Sequence, residues 1–247
     1  MAAAWSAGAR GFSAANVSSL ATAAFTISGT DRYLEVLVYS GAGTPANLTS
    51  VVWDAAGANQ ALTQVESYIT SRTYFRSSKW ALVNPTAGTS KTVTVTWASN
   101  QDETMVIADA YTGIDQTTPT RTRPTPSQTS TSTPSLSVTS VAGDLVVGAV
   151  AFSDDAGGVV STITSSAVTI REKIEGADVT GYESCAQGDV TATGTSTSVG
   201  FTCNAASQWY PVLYGVALIP STGGGGSPAS FPPVRSIGQR IAPLLNF

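Results

Sequence analysis

The sequence predicts an all-β chain that forms a jelly-roll-like antiparallel β-sandwich of about a dozen strands, with two echoing halves and an extended C-terminal tail. Apolar and polar residues alternate along most of the chain, most clearly where Val93, Val95 and Trp97 share one face. Turn sequences rich in Gly, Pro and Asn separate these runs, as at residues 41–45 and 84–88. Val and Thr are abundant, while the 247 residues include only three lysines and six glutamates, a composition that favours strands.

Residues 1–20 are predicted to be an N-terminal arm that precedes the sandwich. Residues 1–8 contain neither a basic region nor a continuous apolar stretch, so they are not predicted to be a secretory signal.

The sandwich is predicted to span residues 21–220 and to contain an internal repeat. Residues 25–40 resemble residues 136–153, and residues 93–111 resemble residues 199–219, in the same order and at a nearly constant offset. Such matching predicts two related halves that interleave in one sandwich. The alternative left open is that strands of similar composition resemble each other by chance.

The halves are assigned to residues 21–116 and 135–220. Residues 117–134, which join them, contain four prolines and no other apolar side chain, and this predicts a crossover on the surface. Residues 145–152 are apolar at every position, as expected of a central strand that is covered on both faces.

A Gly-rich segment, residues 221–228, is predicted to be a flexible linker to a C-terminal docking tail, residues 229–247. An apolar and mildly basic tail on such a linker is typical of an arm that docks on a partner. The predicted docking residues are seven apolar side chains and two arginines: Phe231, Val234, Arg235, Ile237, Arg240, Ile241, Leu244, Leu245 and Phe247.

The conformation of the tail is left open between two alternatives. Val234, Ile237, Ile241 and Leu244 are spaced as one stripe of a helix, whereas the proline at residue 243 favours an extended peptide in a groove. The tail also has two docking modes, either on a neighbouring subunit or back on its own sandwich.

The two cysteines are predicted to form a disulfide. Cys185 and Cys203 are equidistant from Gly194, so in a hairpin that turns at Gly194 they would face each other across the two strands. The neighbours of Cys185 on its face are polar while those of Cys203 are apolar, and this leaves two buried thiols as the alternative.

Several aromatic residues are candidates for stacking against sugar rings, namely Trp53, Trp80 and Tyr74. Large aromatic side chains also dominate protein cores and subunit interfaces, and a role in the core or between subunits is the alternative for all three.

Composition excludes several classes of function. Only 11% of residues are charged, the net charge is −4 and the 12 Lys and Arg are scattered, so no basic surface for nucleic acid is expected. The absence of histidine removes the commonest general base and most zinc sites, and we expect no enzyme activity, no cofactor and no metal. The apolar runs are too short for a membrane-spanning helix. Ser and Thr supply 65 residues, and these are expected to form much of the surface.

Five segments resemble a broad group of phage virion and bacterial surface proteins that are built on a β-sandwich. These segments are TSVVWD at 49–54 with QALTQV at 60–65, WALVNP at 80–85 with AGT at 87–89, and AYTGIDQTTP at 110–119. The linker and tail look like those of phage particle proteins in particular. Because the motifs mark strand edges and turns, they imply a fold and no catalytic residues.

The resemblance and the tail together predict a non-enzymatic structural protein on the exterior of a phage particle, most simply a capsid decoration protein. Its expected partners are the major capsid protein or other head or tail subunits, and further copies of itself in homo-oligomers such as trimers. The alternative is a glycan-binding module of a tail fibre or of a secreted bacterial surface protein, which would contact a host glycan.

Overall fold

A computed structural model describes residues 1–41, 45–69, 75–152, 162–175, 183–203 and 211–222, apart from the side chains of residues 68 and 69. These residues contain no helix and twenty strands, and every strand pair among them is antiparallel. The predicted all-β antiparallel sandwich is therefore confirmed. The strands outnumber the predicted dozen because several are short pieces of two to five residues.

The first half of the chain contributes eleven strands. They are β1 (Ala4–Ser13), β2 (Val17–Ala21), β3 (Phe25–Ile27), β4 (Tyr33–Gly41), β5 (Leu48–Trp53), β6 (Gln60–Ala61), β7 (Thr63–Ile69), β8 (Phe75–Val83), β9 (Gly88–Lys91), β10 (Val93–Gln101) and β11 (Glu103–Thr112).

The second half contributes the remaining strands of the described residues. They are β12 (Ser127–Gln128), β13 (Ser135–Thr139), β14 (Leu145–Phe152), β15 (Ile163–Thr164), β16 (Thr169–Ile174), β17 (Ser184–Thr191), β18 (Ser196–Gly200), β19 (Thr202–Cys203) and β20 (Val212–Leu218).

The first half forms a complete jelly roll. Its larger sheet has the order β1-β11-β4-β8-β7, and its smaller sheet has the order β2-β10-β5-β6. The first strand thus pairs with the last and the second with the penultimate long strand, which is the winding of a jelly roll. Successive side chains of β10 point to opposite faces of its sheet. Val93, Val95 and Trp97 are buried on one face, while the threonines between them are half-buried on the other.

The second half repeats this winding. Its larger sheet has the order β12-β20-β14-β17-β16, so β14 takes the place of β4, β20 that of β11, and β17 that of β8. The pairs β13-β18 and β15-β19 correspond to the smaller sheet of the first half. The predicted repeat is confirmed, but the predicted interleaving is wrong. Each sheet takes its strands from one half, because each half can close its own sandwich with short local connections.

The described residues form four β layers, with the two larger sheets in the middle. One apolar core lies between the sheets of the first half and includes Leu34, Val36 and Trp53, and a second lies within the second half around Phe152 and Phe201. Two further clusters join the larger sheets across the boundary between the halves. The central strands β4, β14 and β20 are consequently buried at every position, as the apolar run at 145–152 predicts.

Residues 1–20 do not form an arm, and this part of the prediction is wrong. β1 pairs with β11 from Ala4 to Ser13 and forms an edge of the larger sheet. Most residues of β1 are small, so this segment lacks the large apolar side chains from which a strand is predicted. The terminal amino group of Met1 donates a hydrogen bond to the carbonyl oxygen of Ser221 at 2.6 Å, so the chain start and the beginning of the linker lie together.

Candidate functional site

A cluster of charged and polar side chains is buried between the two larger sheets. Glu35, Lys79, Asp109 and Gln187 are each 1% exposed or less. They lie on β4, β8, β11 and β17, at positions whose side chains point away from the core of their own half and toward the other half. We call these four residues the interface cluster.

Hydrogen bonds link the interface cluster from one half to the other. The Lys79 Nζ donates to Gln187 Oε1, and it lies 3.4 Å from Glu35 Oε1. The Gln187 Nε2 donates to Asp109 Oδ2 at 2.7 Å and to the main-chain oxygen of Glu35 at 3.3 Å. Every member therefore has a partner in the cluster, as buried polar groups require.

The crossover closes one side of the interface cluster. Arg123 projects from it and donates to both carboxylate oxygens of Glu35, at 2.9 and 3.0 Å. The same guanidinium donates to Glu66 Oε2 at 3.2 Å and to the Tyr33 hydroxyl at 3.1 Å. Arg123 and Tyr33 also line a surface cleft of about 380 Å³. The crossover lies on the surface and also neutralises charge inside the molecule.

The N-terminal strand closes another side. The indole Nε1 of Trp5 donates to Asp109 Oδ1 at 2.9 Å, and the Arg171 guanidinium lies 5.1 Å from the centre of the Trp5 ring. Arg171 is held in place by two hydrogen bonds to Asp189, at 2.7 and 2.8 Å. Gly8 is required in β1, since a Cβ there would lie 2.3 Å from Asp109 Oδ1.

Burial and charge set the protonation of these groups. Burial by itself would raise the pKa of Glu35, but the positive charges of Arg123 and Lys79 outweigh it and the net shift is downward. Burial lowers the pKa of Lys79, with Glu35 opposing that shift. Burial raises the pKa of Asp109 to about 7, and also raises that of Glu66 to about 7.

The structure corrects the predicted disulfide between Cys185 and Cys203. Cys185 lies on β17 between the halves, where its Sγ is 3.6 Å from Met105 Sδ, whereas Cys203 lies in the core of the second half. No disulfide joins the two cysteines. The chain around Gly194 turns from one sheet into another and does not form a hairpin, so the two strands are not neighbours. Burial raises the pKa of the Cys185 thiol.

Two of the three predicted sugar-stacking aromatics are described. Trp53 is fully buried, with its ring centre 5.0 Å from that of Phe25, so its assignment to sugar stacking is wrong and the alternative of a core residue holds. Trp80 is half-buried and donates to Ser78 Oγ at 2.9 Å. Tyr74 lies outside the described residues, as do all nine predicted docking residues of the tail.

Sequence reasoning missed the interface cluster. The signal was a lone charge inside a strand that is otherwise apolar on both faces, such as Glu35 in β4 and Asp109 in β11. Such a strand is covered on both sides, and a charge within it must find a buried partner. Gln187 and Arg123 carried no comparable signal, because pairing between the halves brings them to the cluster.

Among the described residues, no group of three or more Cys, Asp or Glu is arranged to hold a metal ion. That part of the chain also has no helix that is long and apolar enough to cross a membrane. Comparisons of the chain with protein-family models, with curated proteins and with solved structures found no match.

Proposed function

We propose that this chain is a non-enzymatic structural subunit of a phage particle, a capsid decoration protein that attaches to neighbouring subunits through residues 229–247. The observation that carries the proposal is the fixed exit of the linker. The Ser221 carbonyl accepts a hydrogen bond from Met1, and Pro220 pairs with Ile114, so the chain leaves the sandwich from an anchored position. A tail of apolar and basic composition, residues 229–247, follows the Gly-rich segment that begins at that point.

The two packed jelly rolls have the rigidity expected of a structural subunit. They are joined by two apolar clusters and by the interface cluster, and a body braced in this way resists bending between the halves. Many of its polar residues are Ser and Thr, which lose less side-chain entropy on contact than Lys or Glu. Burial of the seven apolar tail side chains would contribute about 1.5–3 kcal/mol each before the cost of ordering the tail.

Attachment to particles tests the proposal. Particles from the phage genome that encodes this chain, produced without it, are mixed with the purified protein and sedimented through a density gradient. The full chain is expected to sediment with the particles, and a chain that ends at Thr222 is expected to remain unbound. The truncated chain keeps the contacts of Pro220 and Ser221, so its thermal unfolding midpoint should be unchanged.

A matched control distinguishes the contribution of the tail to attachment from that of its linker. Replacing the four glycines at 223–226 by serine keeps a flexible linker of equal length and should preserve attachment. The proposal is wrong if the truncated chain sediments with particles as well as the full chain. If the truncated chain instead binds a glycan array and loses that binding on Trp80→Ala, the glycan-binding alternative is favoured.

A further inference from the structure

The Lys79 side chain reaches from the first half to the side-chain amide of Gln187 in the second half. Its amine donates to the carbonyl oxygen of that amide, and both side chains are within the buried interface. Residues 79 and 187 are 108 positions apart, so only the packing of the two jelly rolls brings them together. An amine is thus held against the carbonyl oxygen of a carboxamide, and both groups are shielded from solvent.

Two carboxyl groups flank this pair from opposite ends. Glu35 Oε1 lies 3.4 Å from the Lys79 amine, and Asp109 Oδ2 lies 2.7 Å from the amide nitrogen of Gln187. The amide is fixed with its carbonyl toward the amine and its nitrogen toward Asp109. Asp109 accepts a hydrogen bond from the amide nitrogen, so one carboxyl group lies beside the nucleophile and another beside the nitrogen that would leave. Acyl transfer from an amide needs a proton-transferring group at each of these two places.

Protonation favours the same roles. Burial lowers the pKa of Lys79, so its ammonium group gives up a proton more readily and forms the nucleophilic amine. Arg123 and Lys79 lower the pKa of Glu35 against the effect of burial, so Glu35 is present as a carboxylate that accepts a proton. Burial raises the pKa of Asp109 to about 7, and near neutral pH a share of this group carries a proton that it can donate.

We propose that Lys79 and Gln187 form an intramolecular isopeptide bond, with Glu35 as the proton acceptor and Asp109 as the proton donor. Lys79 transfers a proton to Glu35, and its neutral amine attacks the Gln187 Cδ to form a tetrahedral intermediate. The bond from Cδ to Nε2 then breaks as Asp109 gives a proton to the leaving nitrogen, which departs as ammonia. The attacking nitrogen returns one proton to Asp109, so Asp109 ends as it began. No oxidant, metal or cofactor is consumed.

The site favours the product in two ways. Fixed geometry makes the attack intramolecular, which removes the entropic cost of bringing an amine and an amide together. The reaction also replaces a buried ammonium group by a neutral amide, which removes the desolvation cost of that charge. The resulting bond would join β8 of the first jelly roll to β17 of the second. This inference does not depend on the proposed role in a phage particle.

Intact mass of the full chain tests the proposal. Under denaturing conditions the mass is expected to be lower than the sequence mass by one ammonia. Trypsin should fail to cleave after Lys79 and should release a branched peptide that joins residues 77–91 to residues 174–235. An unmodified mass after prolonged incubation of the folded protein at neutral pH, with normal cleavage after Lys79, overturns the proposal. A loss of ammonia that maps to any other residue overturns it as well.

Variants assign the roles. Lys79→Met and Gln187→Leu should each restore the full calculated mass, and the second remains informative if the first does not fold. Asp109→Asn keeps both reacting groups and should slow formation of the bond at least tenfold in a time course of freshly purified protein. Lys91→Met is the matched control, since this partly exposed lysine pairs with Asp54 and should leave the mass deficit unchanged. Equal rates in the parent chain and Asp109→Asn would exclude the role of Asp109.

Discussion

Glu103 is a half-buried acid whose environment opposes its charge. It begins β11, opposite Gly41, and lies beside Glu183 of the second half. Burial and the hydrogen bond with Glu183 raise its pKa to about 9. Because the folded state holds this proton more tightly than the unfolded state, the contribution of Glu103 to stability is fully present below pH 4.5 and is lost as the pH rises through 9.

Glu103→Gln is therefore expected to flatten the dependence of stability on pH. The thermal unfolding midpoint of the parent chain should fall between pH 5 and pH 8.5, and that of the variant should fall less, because an amide does not ionise. Asp109 and Glu66 shift in the same direction and leave a residual slope. Asp102→Asn, at the exposed neighbouring position, is the control. Parallel curves for Glu103→Gln and the parent chain would contradict this prediction.

Individual residues differed in how far the sequence could predict them. The burial of Val93 and Val95 follows from local alternation, because their partners lie in the same jelly roll. The burial of Trp53 in a core was only an alternative to sugar stacking, since a large aromatic suits both environments. Gln187 could not be predicted as a cluster member, because its partners are Lys79 and Asp109 of the other half.

At the scale of elements, three glycines lie side by side on neighbouring strands of the larger sheet of the second half. Gly148 of β14 lies opposite both Gly188 of β17 and Gly215 of β20. A Cβ at Gly215 would lie 2.5 Å from Val138 Cγ2, and one at Gly148 would lie 2.8 Å from Val199 Cβ. Gly148 and Gly215 therefore let β18 and β13 approach the larger sheet closely.

Gly215→Ala is expected to destabilise the chain by about 1–3 kcal/mol through overpacking against Val138. Urea denaturation measures the change in the free energy of unfolding. Gly194→Ala is the matched control, because a Cβ there meets no atom within 4 Å. Combining Gly215→Ala with Val138→Ala should cost less than the sum of the two single changes, as expected of side chains in contact. Additive costs would show that the clash does not limit packing here.

The position of a strand within its sheet explains why some strands can be predicted from the sequence. An apolar run such as β14 identifies a central strand without further information. The residues between β17 and β18 predict a hairpin but form a corner between two sheets, because both kinds of turn use similar small residues. The disulfide prediction depends on that hairpin and is therefore wrong as well.

At the scale of the whole molecule, each jelly roll has an apolar face that packs against the other. Leu37, Tyr39 and Ile107 of the first half pack with Tyr214 and Val212 of the second. Exposure of faces this apolar is unfavourable in water. The two halves should therefore stay together even when the chain between them is cut.

A protease site inserted between Ser130 and Thr131, which are exposed in the crossover, tests this expectation. In a Gln187→Leu background, which excludes the proposed covalent bond, the two cleaved fragments should elute together from a sizing column without denaturant and separate in denaturant. The uncut chain is the control for elution volume. Elution of two separate fragments under native conditions would mean that the crossover, and not the interface, holds the halves together.

The sequence by itself determined the all-β class, the central strands, the repeat and the place of the crossover, because alternation, apolar runs and turn residues act over a few positions. Only the tertiary structure decided that each half closes its own jelly roll, that residues 1–20 are part of the first, and that Lys79 meets Gln187. The physical reason is that these contacts join residues far apart in the sequence. The packing of one half against the other sets them, and a local sequence pattern does not specify which buried charged groups become neighbours.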